Sequence, residues 1–312
     1  MGRLAVVAIG GNSLIKSPKH QSVPDQWEAM AETSAHIAAM IARGWDVVVT
    51  HGNGPQVGFI LLRSELASHV LHTVPLDVCG ADTQGAIGYM AQVGLDQAMA
   101  RLGLTRRTAT VVTRVVVDRD DPAFQKPTKP IGPFYTQEQA DRYRGERSWA
   151  MVEDAGRGWR RVVPSPRPLE IVESDAIRTL LAAGFVVVGV GGGGIPVVRE
   201  NGDMRGVEAV IDKDHASSLL ARTIRADLLL ISTAVEGVAL NYKKPDERPL
   251  DRLTLADAQR HLAEGQFPPG SMGPKIEAAI AYLQGGGKEV LITSPGNIER
   301  ALVGETGTRI GA

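Results

Sequence analysis

The 35 glycines of this 312-residue chain constrain it most, because many stand in clusters, at 10–11, 52–54, 191–194 and 285–287. The first three clusters each follow a short run rich in β-branched residues, at 4–9, 46–50 and 185–190. A backbone that leaves an apolar run and sheds its side chains must turn tightly or let something come close. Between the clusters a second pattern recurs: a polar–apolar stretch at helical spacing, a glycine or short break, then a β-branched run. Residues 37–43 lead through Gly44 to 46–50, 177–183 through Gly184 to 185–190, 216–225 to 227–232, and 276–283 through the last cluster to 289–293. Glycine at helix ends and short Val/Ile strands suit this rhythm. Strands apolar on both faces and alternating with helices imply a mostly parallel sheet covered on both sides. The expected fold class is therefore α/β, a three-layer αβα sandwich. Predicted strands are 4–9, 46–50, 110–117, 185–190, 208–211, 227–232 and 289–293. Predicted helices are 25–43, 55–68, 83–101, 173–183, 214–225, 255–264 and 274–283.

One segment breaks the rhythm. Residues 122–168 hold seven of the 18 prolines and nine Lys/Arg against five Asp/Glu. Prolines oppose long helices and central strands, so this stretch reads as irregular or hairpin-rich. We expect a single domain over 1–312 with an inserted, protruding lobe at 118–168 that carries substrate contacts. A formal net charge of −1 argues against a nucleic-acid coat protein. The lone Cys79 excludes an intramolecular disulfide framework and multi-cysteine metal sites, and reads as a small buried residue. No apolar run approaches the ~20 residues of a membrane span, and the 4–9 run is too short for a signal-peptide core. A soluble cytoplasmic protein is expected, without nucleic-acid or membrane partners.

Six segments carry the chemistry. Gly10, Gly11 and Asn12 follow the first strand and present bare amides with one side-chain donor, an anion cradle. Gly52, Asn53 and Gly54 follow the second strand and open a helix at Pro55, whose N-terminus adds a positive dipole end. Two such turns at the carboxyl ends of parallel strands share one side of the sheet, where open α/β folds bind ligands. His51, in that turn, is read as packed rather than as a base. The run 189–194 formally satisfies GxGxxG, but that fingerprint must open a helix. Here β-branched residues and Asn201–Gly202 follow, the mark of a hairpin. Gly192 and Gly193 are therefore expected to let a phosphate lie against backbone. Lys213 stands at the start of a helix between Asp212 and Asp214, which could hold a lysine or a metal ion, and Asp214 is the expected N-cap. Lys275 follows the rigid 268–274 loop near a helix N-terminus, where the dipole disfavours a cation and so suggests an anionic partner. Lys129 stands between prolines in the lobe. For each lysine the segment alone also allows a plain solvated residue. There is no GxxxxGK[ST], HExxH or GxSxG. Glycine cradles, three placed lysines and carboxylates together suit phosphoryl transfer, with Mg²⁺ assisting.

The chain resembles the carbamate kinases, a branch of the amino acid kinase (acetylglutamate kinase-like) family. The resemblance rests on THGNGPQVG at 50–58, PTKPIGPF at 127–134, DAGRGWRRVVPSP at 154–166, GGGGIPVV at 191–198, GVEAVIDKD at 206–214 and PGSMGPKIEAA at 269–279. It implies the amino acid kinase fold, usually as a homodimer. It implies a reversible reaction in which ATP and carbamate give ADP and carbamoyl phosphate, run largely toward ATP in arginine or ureido-compound breakdown. By that resemblance Gly10, Gly11, Asn12, Gly52, Asn53 and Gly54 cradle the transferred phosphoryl and the carbamate. Lys213 and Lys275 neutralise its oxygens, Asp214 orients them, and Lys129 reaches in from the lobe. The second half, from about 185, takes the nucleotide around Thr233, Ala234, Val235, Tyr242, Lys244 and Met272. Mg²⁺ is expected on the nucleotide phosphates, with no ligand assigned to the protein. Ser13, Ala234 and Lys243 depart from residues common in the family. Two alternatives stay open: another small-carboxylate kinase of the superfamily, or a nucleotide-binding homologue without turnover.

Overall fold

In the computed structural model, which describes residues 2–11, 14–15, 19–154 and 156–311, the strand Arg3–Ile9 is the hub. It pairs in parallel with Trp45–His51 on one side and Leu228–Ser232 on the other. Val186–Val188 and Thr108–Thr110 extend the first side. Glu289–Thr293, Thr308–Gly311 and Arg252–Thr254 extend the second. Among the described residues this makes an eight-stranded sheet, antiparallel only where Glu289–Thr293 meets Thr308–Gly311.

Side-chain alternation sorts these strands into two cores. Val6, Val48, Val187 and Leu229 face one way and pack with Ile177, Leu220, Ile276 and Tyr282. Ala5, Val7, Val49 and Leu230 face the other way and pack with Met30, Ile37, Ile87 and Leu95. Helices Ser174–Ala182, Lys213–Thr223 and Met272–Gln284 cover the first face; Val23–Ala42 and Leu76–Arg101 cover the second. All eight strand residues named are at most 1% exposed. Burying each Val or Leu side chain contributes roughly 1.5–3 kcal/mol, so the hub strand is fixed from both sides.

Three of the strands and helices predicted for the body need correction. The predicted strand 110–117 is two strands in two sheets. Arg114–Val117 joins a four-stranded sheet with Pro168–Ile171, Ile195–Glu200 and Asp203–Gly206. The chain changes sheets at buried Thr113, whose N–H donates to Gln84 Oε1 at 2.8 Å. The predicted strand 208–211 joins no sheet; it is held by the Val210 N–H on the Pro164 carbonyl at 2.9 Å. The helix predicted from 83 begins at Leu76, directly after Pro75. The hairpin after the third glycine cluster is present, with Asn201 and Gly202 at φ 51° and 88° as a tight turn of strands requires.

The antiparallel pair Arg114–Val117 and Pro168–Ile171 brackets the 118–168 segment. Within it, Lys129–Tyr135, Trp159–Val163 and Met151–Glu153 form a three-stranded antiparallel sheet. The expectation of irregular or hairpin structure missed the helix Gln137–Arg147. Its prolines stand outside that stretch, and Thr136 with Gln139 forms a capping box. Tyr143 stacks on Trp149 at 4.7 Å, and the Arg161 guanidinium lies 4.3 Å from the centroid of the same Trp149 ring.

This lobe seats on the body through Val57, Leu61, Ile131, Val163 and Val210. Arg147 pairs with Glu65 at 2.8 Å and Arg161 with Glu208 at 3.0 Å. Backbone also crowds backbone here: a Cβ on Gly58 of helix Gln56–Leu66 would stand 2.7 Å from Gly132 Cα. Gly58→Ala must therefore lift the lobe strand that carries Lys129. The expected cost is about 1–3 kcal/mol of stability, read as a lowered urea midpoint. A wild-type midpoint would contradict this seating.

Candidate active site

Strands Arg3–Ile9, Trp45–His51 and Leu228–Ser232 all end at one edge of the sheet, and the glycine turns follow there. A cavity of about 290 Å³ opens at that edge. Gly11, Gly52, Asn53, Gly54 and Gly192 line it from the turns. Lys129 enters from the lobe, Asp212, Lys213 and Asp214 from one helix start, and Lys275 from another. Residues spread over some 265 positions of sequence are thus brought together by the parallel topology.

Three expected members stand differently. Asn12 lies outside the described residues. Gly10 does not line the cavity; a Cβ there would lie 2.8 Å from the Ser232 carbonyl oxygen, so its bareness lets two strand ends approach. Gly193 is buried against the Ile211 carbonyl, which a Cβ would meet at 2.4 Å. The glycine loop is packed by its own protein. Gly192, at φ 69°, faces the Asn53 side chain, whose Nδ2 donates to the Gly192 carbonyl at 3.5 Å. Gln84 Nε2 holds the same loop, donating to the carbonyls of Gly191 and Thr113 at 2.9 and 3.0 Å.

The charges are the substance of the site. Asp212, not Asp214, is the N-cap of Lys213–Thr223: its Oδ1 accepts the Asp214 N–H at 2.9 Å. Its Oδ2 accepts from Lys129 Nζ at 2.7 Å, so one carboxylate starts the helix and holds the lobe lysine. Asp214 instead lies inside the first turn, 3% exposed. Its two oxygens accept from Lys213 Nζ at 2.5 Å and Lys275 Nζ at 3.0 Å. Lys275 Nζ also reaches the Ser271 carbonyl at 3.4 Å. Burial alone would raise the Asp214 pKa, but the two ammonium charges overcome it and hold the carboxyl below its ordinary value. In Asp212 the Lys129 charge likewise overcomes burial and keeps the group ionised. Burial, aided by repulsion from Lys275, lowers the Lys213 pKa, and Asp214 opposes that fall.

Arg160 also lines the cavity. Its Nη2 donates to the Gly132 carbonyl at 3.1 Å and its guanidinium lies 5.4 Å from the Phe134 ring. Among the described residues, four cations stand against two carboxylates in the lining, an excess of positive charge that makes a well for anions. Arg160 and Ser271 were not singled out from the sequence. Nothing in the spacing of 154–166 separates Arg160 from Arg157 and Arg161.

His51 is 1% exposed and absent from the lining. Burial pushes its pKa down to about 4, so the ring is neutral, and its Nδ1 lies 2.9 Å from the Gly52 carbonyl oxygen. It is a packed residue at the end of its strand. Cys79 is fully buried, its thiol pushed up to about 11 by burial. Among the described residues no group of three or more His, Cys, Asp or Glu is placed to hold a metal ion.

A second cavity of about 140 Å³ adjoins the first through Ser271, which lines both. Thr233, Ala234, Val235, Tyr242 and Met272 line it, with Phe267 on its floor. Lys244 does not; it is exposed in the turn closed by its N–H on the Asn241 carbonyl at 2.9 Å.

The sequence profile of the amino acid kinase family matches residues 3–294. The chain is 52% identical to the carbamate kinase-like protein YahI of Escherichia coli (strain K12), over 99% of both chains. It is 46% identical to a carbamate kinase of Thermococcus kodakarensis, over 98% of both. The solved carbamate kinase from Giardia lamblia bound to AMP-PNP superposes with a TM-score of 0.94 at 44% identity, covering 99% of this chain and 98% of that one.

Removing the shared carboxylate charge with Asp214→Asn leaves Lys213 and Lys275 facing each other. The neutral amine is then favoured, so the Lys213 pKa falls further below the ordinary lysine value. A ¹³Cε-lysine NMR titration reads this directly, and an unmoved midpoint would contradict the sharing.

Proposed function

The chain belongs to the amino acid kinase family, and within it we propose that it is a carbamate kinase, moving a phosphoryl group reversibly between ATP and carbamate to give ADP and carbamoyl phosphate. The observation that carries this reading is the convergence of Lys129, Lys213 and Lys275 on two carboxylates at the glycine turns, beside a second cavity of the nucleotide side. The full-length likeness to carbamate kinases selects the acceptor.

Carbamate is already an anion, so its attack needs no general base, in keeping with a neutral, packed His51. The difficulty is to bring two anions together and to hold the charge that spreads over the transferred group. Lys213 and Lys275 turn from Asp214 to the phosphoryl oxygens, and the carboxylate keeps the two amines charged and aimed. Lys129, tied to Asp212, brings the lobe over the acceptor. The amides of Gly11, Gly52 and Gly54, with Asn12 and Asn53, cradle the transferred group and the carbamate. The nucleotide lies along Thr233, Ala234, Val235, Tyr242 and Met272.

Mg²⁺ belongs with the nucleotide phosphates, whose charge it screens when bound. The residues fit that arrangement: Asp212 and Asp214 are each taken by ammonium groups rather than left as a carboxylate cage. We place the enzyme in the cytoplasm as a homodimer, working toward ATP in arginine or ureido-compound breakdown; the likeness to carbamate kinases supports this. No helix among the described residues is long and apolar enough to cross a membrane.

The test is ATP formation from ADP, Mg²⁺ and carbamoyl phosphate. Fast ATP production is expected. Lys275→Ala should cut it by ~10²–10³ while leaving ADP binding largely intact. A folded protein that binds ADP but makes no ATP would contradict the reading, and acetylglutamyl, glutamyl or aspartyl phosphate would then be the donors to try.

A further inference from the structure

Outside the cavity, one polar cluster joins three elements that the site depends on. Arg167 lies in the returning stem of the lobe. Its backbone N–H donates to Asp121 Oδ2 at 2.9 Å in the outgoing stem, where Asp121 Oδ1 also caps the turn at Ala123. Its guanidinium spans to both helices that carry the site lysines. Nη2 meets Glu277 Oε2 at 2.5 Å on Met272–Gln284. Nη1 lies 2.8 and 2.5 Å from the two ring nitrogens of His215 on Lys213–Thr223. His215 Nε2 is itself 3.4 Å from Glu277 Oε2. A neutral imidazole has one acceptor nitrogen, so Arg167 Nη1 can donate to one of the two but not to both, and burial together with the Arg167 charge holds the His215 pKa below its ordinary value, which favours that neutral ring.

The position of this cluster matters more than its strength. Lys275 and Glu277 are two residues apart, so they point about 200° apart around their helix. Ile276, Ala279 and Tyr282 are fully buried and seat the body of that helix in the core without the tie. What the tie of Glu277 to His215 and Arg167 adds is a polar tether at the half-exposed side of the first turns, beside Lys275. Because Arg167 is also bonded to the lobe stem, the same tie couples the seating of the lobe to the aim of Lys275. Arg167 is 60% exposed and Glu277 36%, so the pair contributes little to stability and its removal leaves a folded protein.

We propose that Arg167 is a positioning residue for Lys275: by joining the lobe stem to His215 and Glu277 it tethers the first turns of helix Met272–Gln284, which carry Lys275, to helix Lys213–Thr223 and to the lobe. This rests on the reading of Lys275 as a phosphoryl-binding group.

The experiment uses the full chain with Arg167→Met, Glu277→Gln, the double variant, and the charge exchange of Arg167→Glu with Glu277→Arg. Circular dichroism checks folding. Each single variant is expected to lower kcat for ATP formation roughly 10- to 100-fold, the scale of a misplaced group, with the KM for ADP little changed. The double variant should be no worse than the weaker single, and the exchange should recover most of the loss. A second readout needs no turnover: limited acetylation with acetic anhydride, followed by mass spectrometry, should modify Lys275 faster in the single variants than in the wild type. Unchanged kcat, or unchanged Lys275 labelling, in Arg167→Met would overturn the proposal. If the wild type makes no ATP, the carbamate kinase reading fails, and the labelling rates alone decide the positioning role.

Discussion

Asp214 has to satisfy two ammonium groups with one carboxylate, nearly out of contact with water. Everything else in the site follows from that. A buried charge persists only when it is paired and bonded, and breaking such a pair on one side costs about 3–5 kcal/mol. Here one partner comes from the same helix turn and the other from a helix 61 residues later. The two amines repel each other, and the carboxylate between them holds both. When an anion with several oxygens enters, it offers the same service as Asp214 in the open half of the cavity. The resting ion pairs are therefore a stand-in for the charged ligand the site is built to receive, and the amines need little rearrangement to meet it.

The sheet delivers these charges. Only a parallel arrangement brings the ends of Arg3–Ile9, Trp45–His51 and Leu228–Ser232 to one edge, and only bare residues let the turns there crowd together. Gly10 admits the Ser232 carbonyl, Gly193 the Ile211 carbonyl, and Gly58 the backbone of the lobe. The glycine clusters act first on packing, and the cavity with its exposed amides is what that packing leaves over. The lobe then adds the third lysine through the pair with Asp212, which also starts the helix bearing Lys213.

Much of this was legible in the residues. The β-branched runs and glycine breaks place the hub strands and most of their covering helices to within a few positions, the start of Leu76–Arg101 excepted, because a strand buried on both faces has a composition of its own. Lys129 and Lys275 could be named because each stands in a rigid, glycine- or proline-bounded setting, and Lys213 because it stands between two aspartates at a helix start. The failures have physical causes. The strand expected at 208–211 has the right composition but no edge to pair with. The 110–117 run hides a change of sheet, because Thr113 is held by Gln84 from a distant helix, a contact that no local pattern announces. The helix Gln137–Arg147 was masked by prolines that flank it, although its capping box is written in Thr136 and Gln139. The cap at Asp212 rather than Asp214 turns on one residue of helix phase. Arg160 joins the cavity through the fold of the lobe sheet, which the sequence left undescribed.

The most direct test of the shared-carboxylate account is a crystal structure of the protein with ADP, Mg²⁺, carbamate and aluminium fluoride, which mimics the phosphoryl group in flight. The account requires the ammonium groups of Lys213 and Lys275 to lie within about 3 Å of fluorides on the metal-fluoride plane, each drawn from its resting contact toward the shared ligand. Both amines still closed on Asp214, with the fluoride seated elsewhere in the cavity, would contradict it.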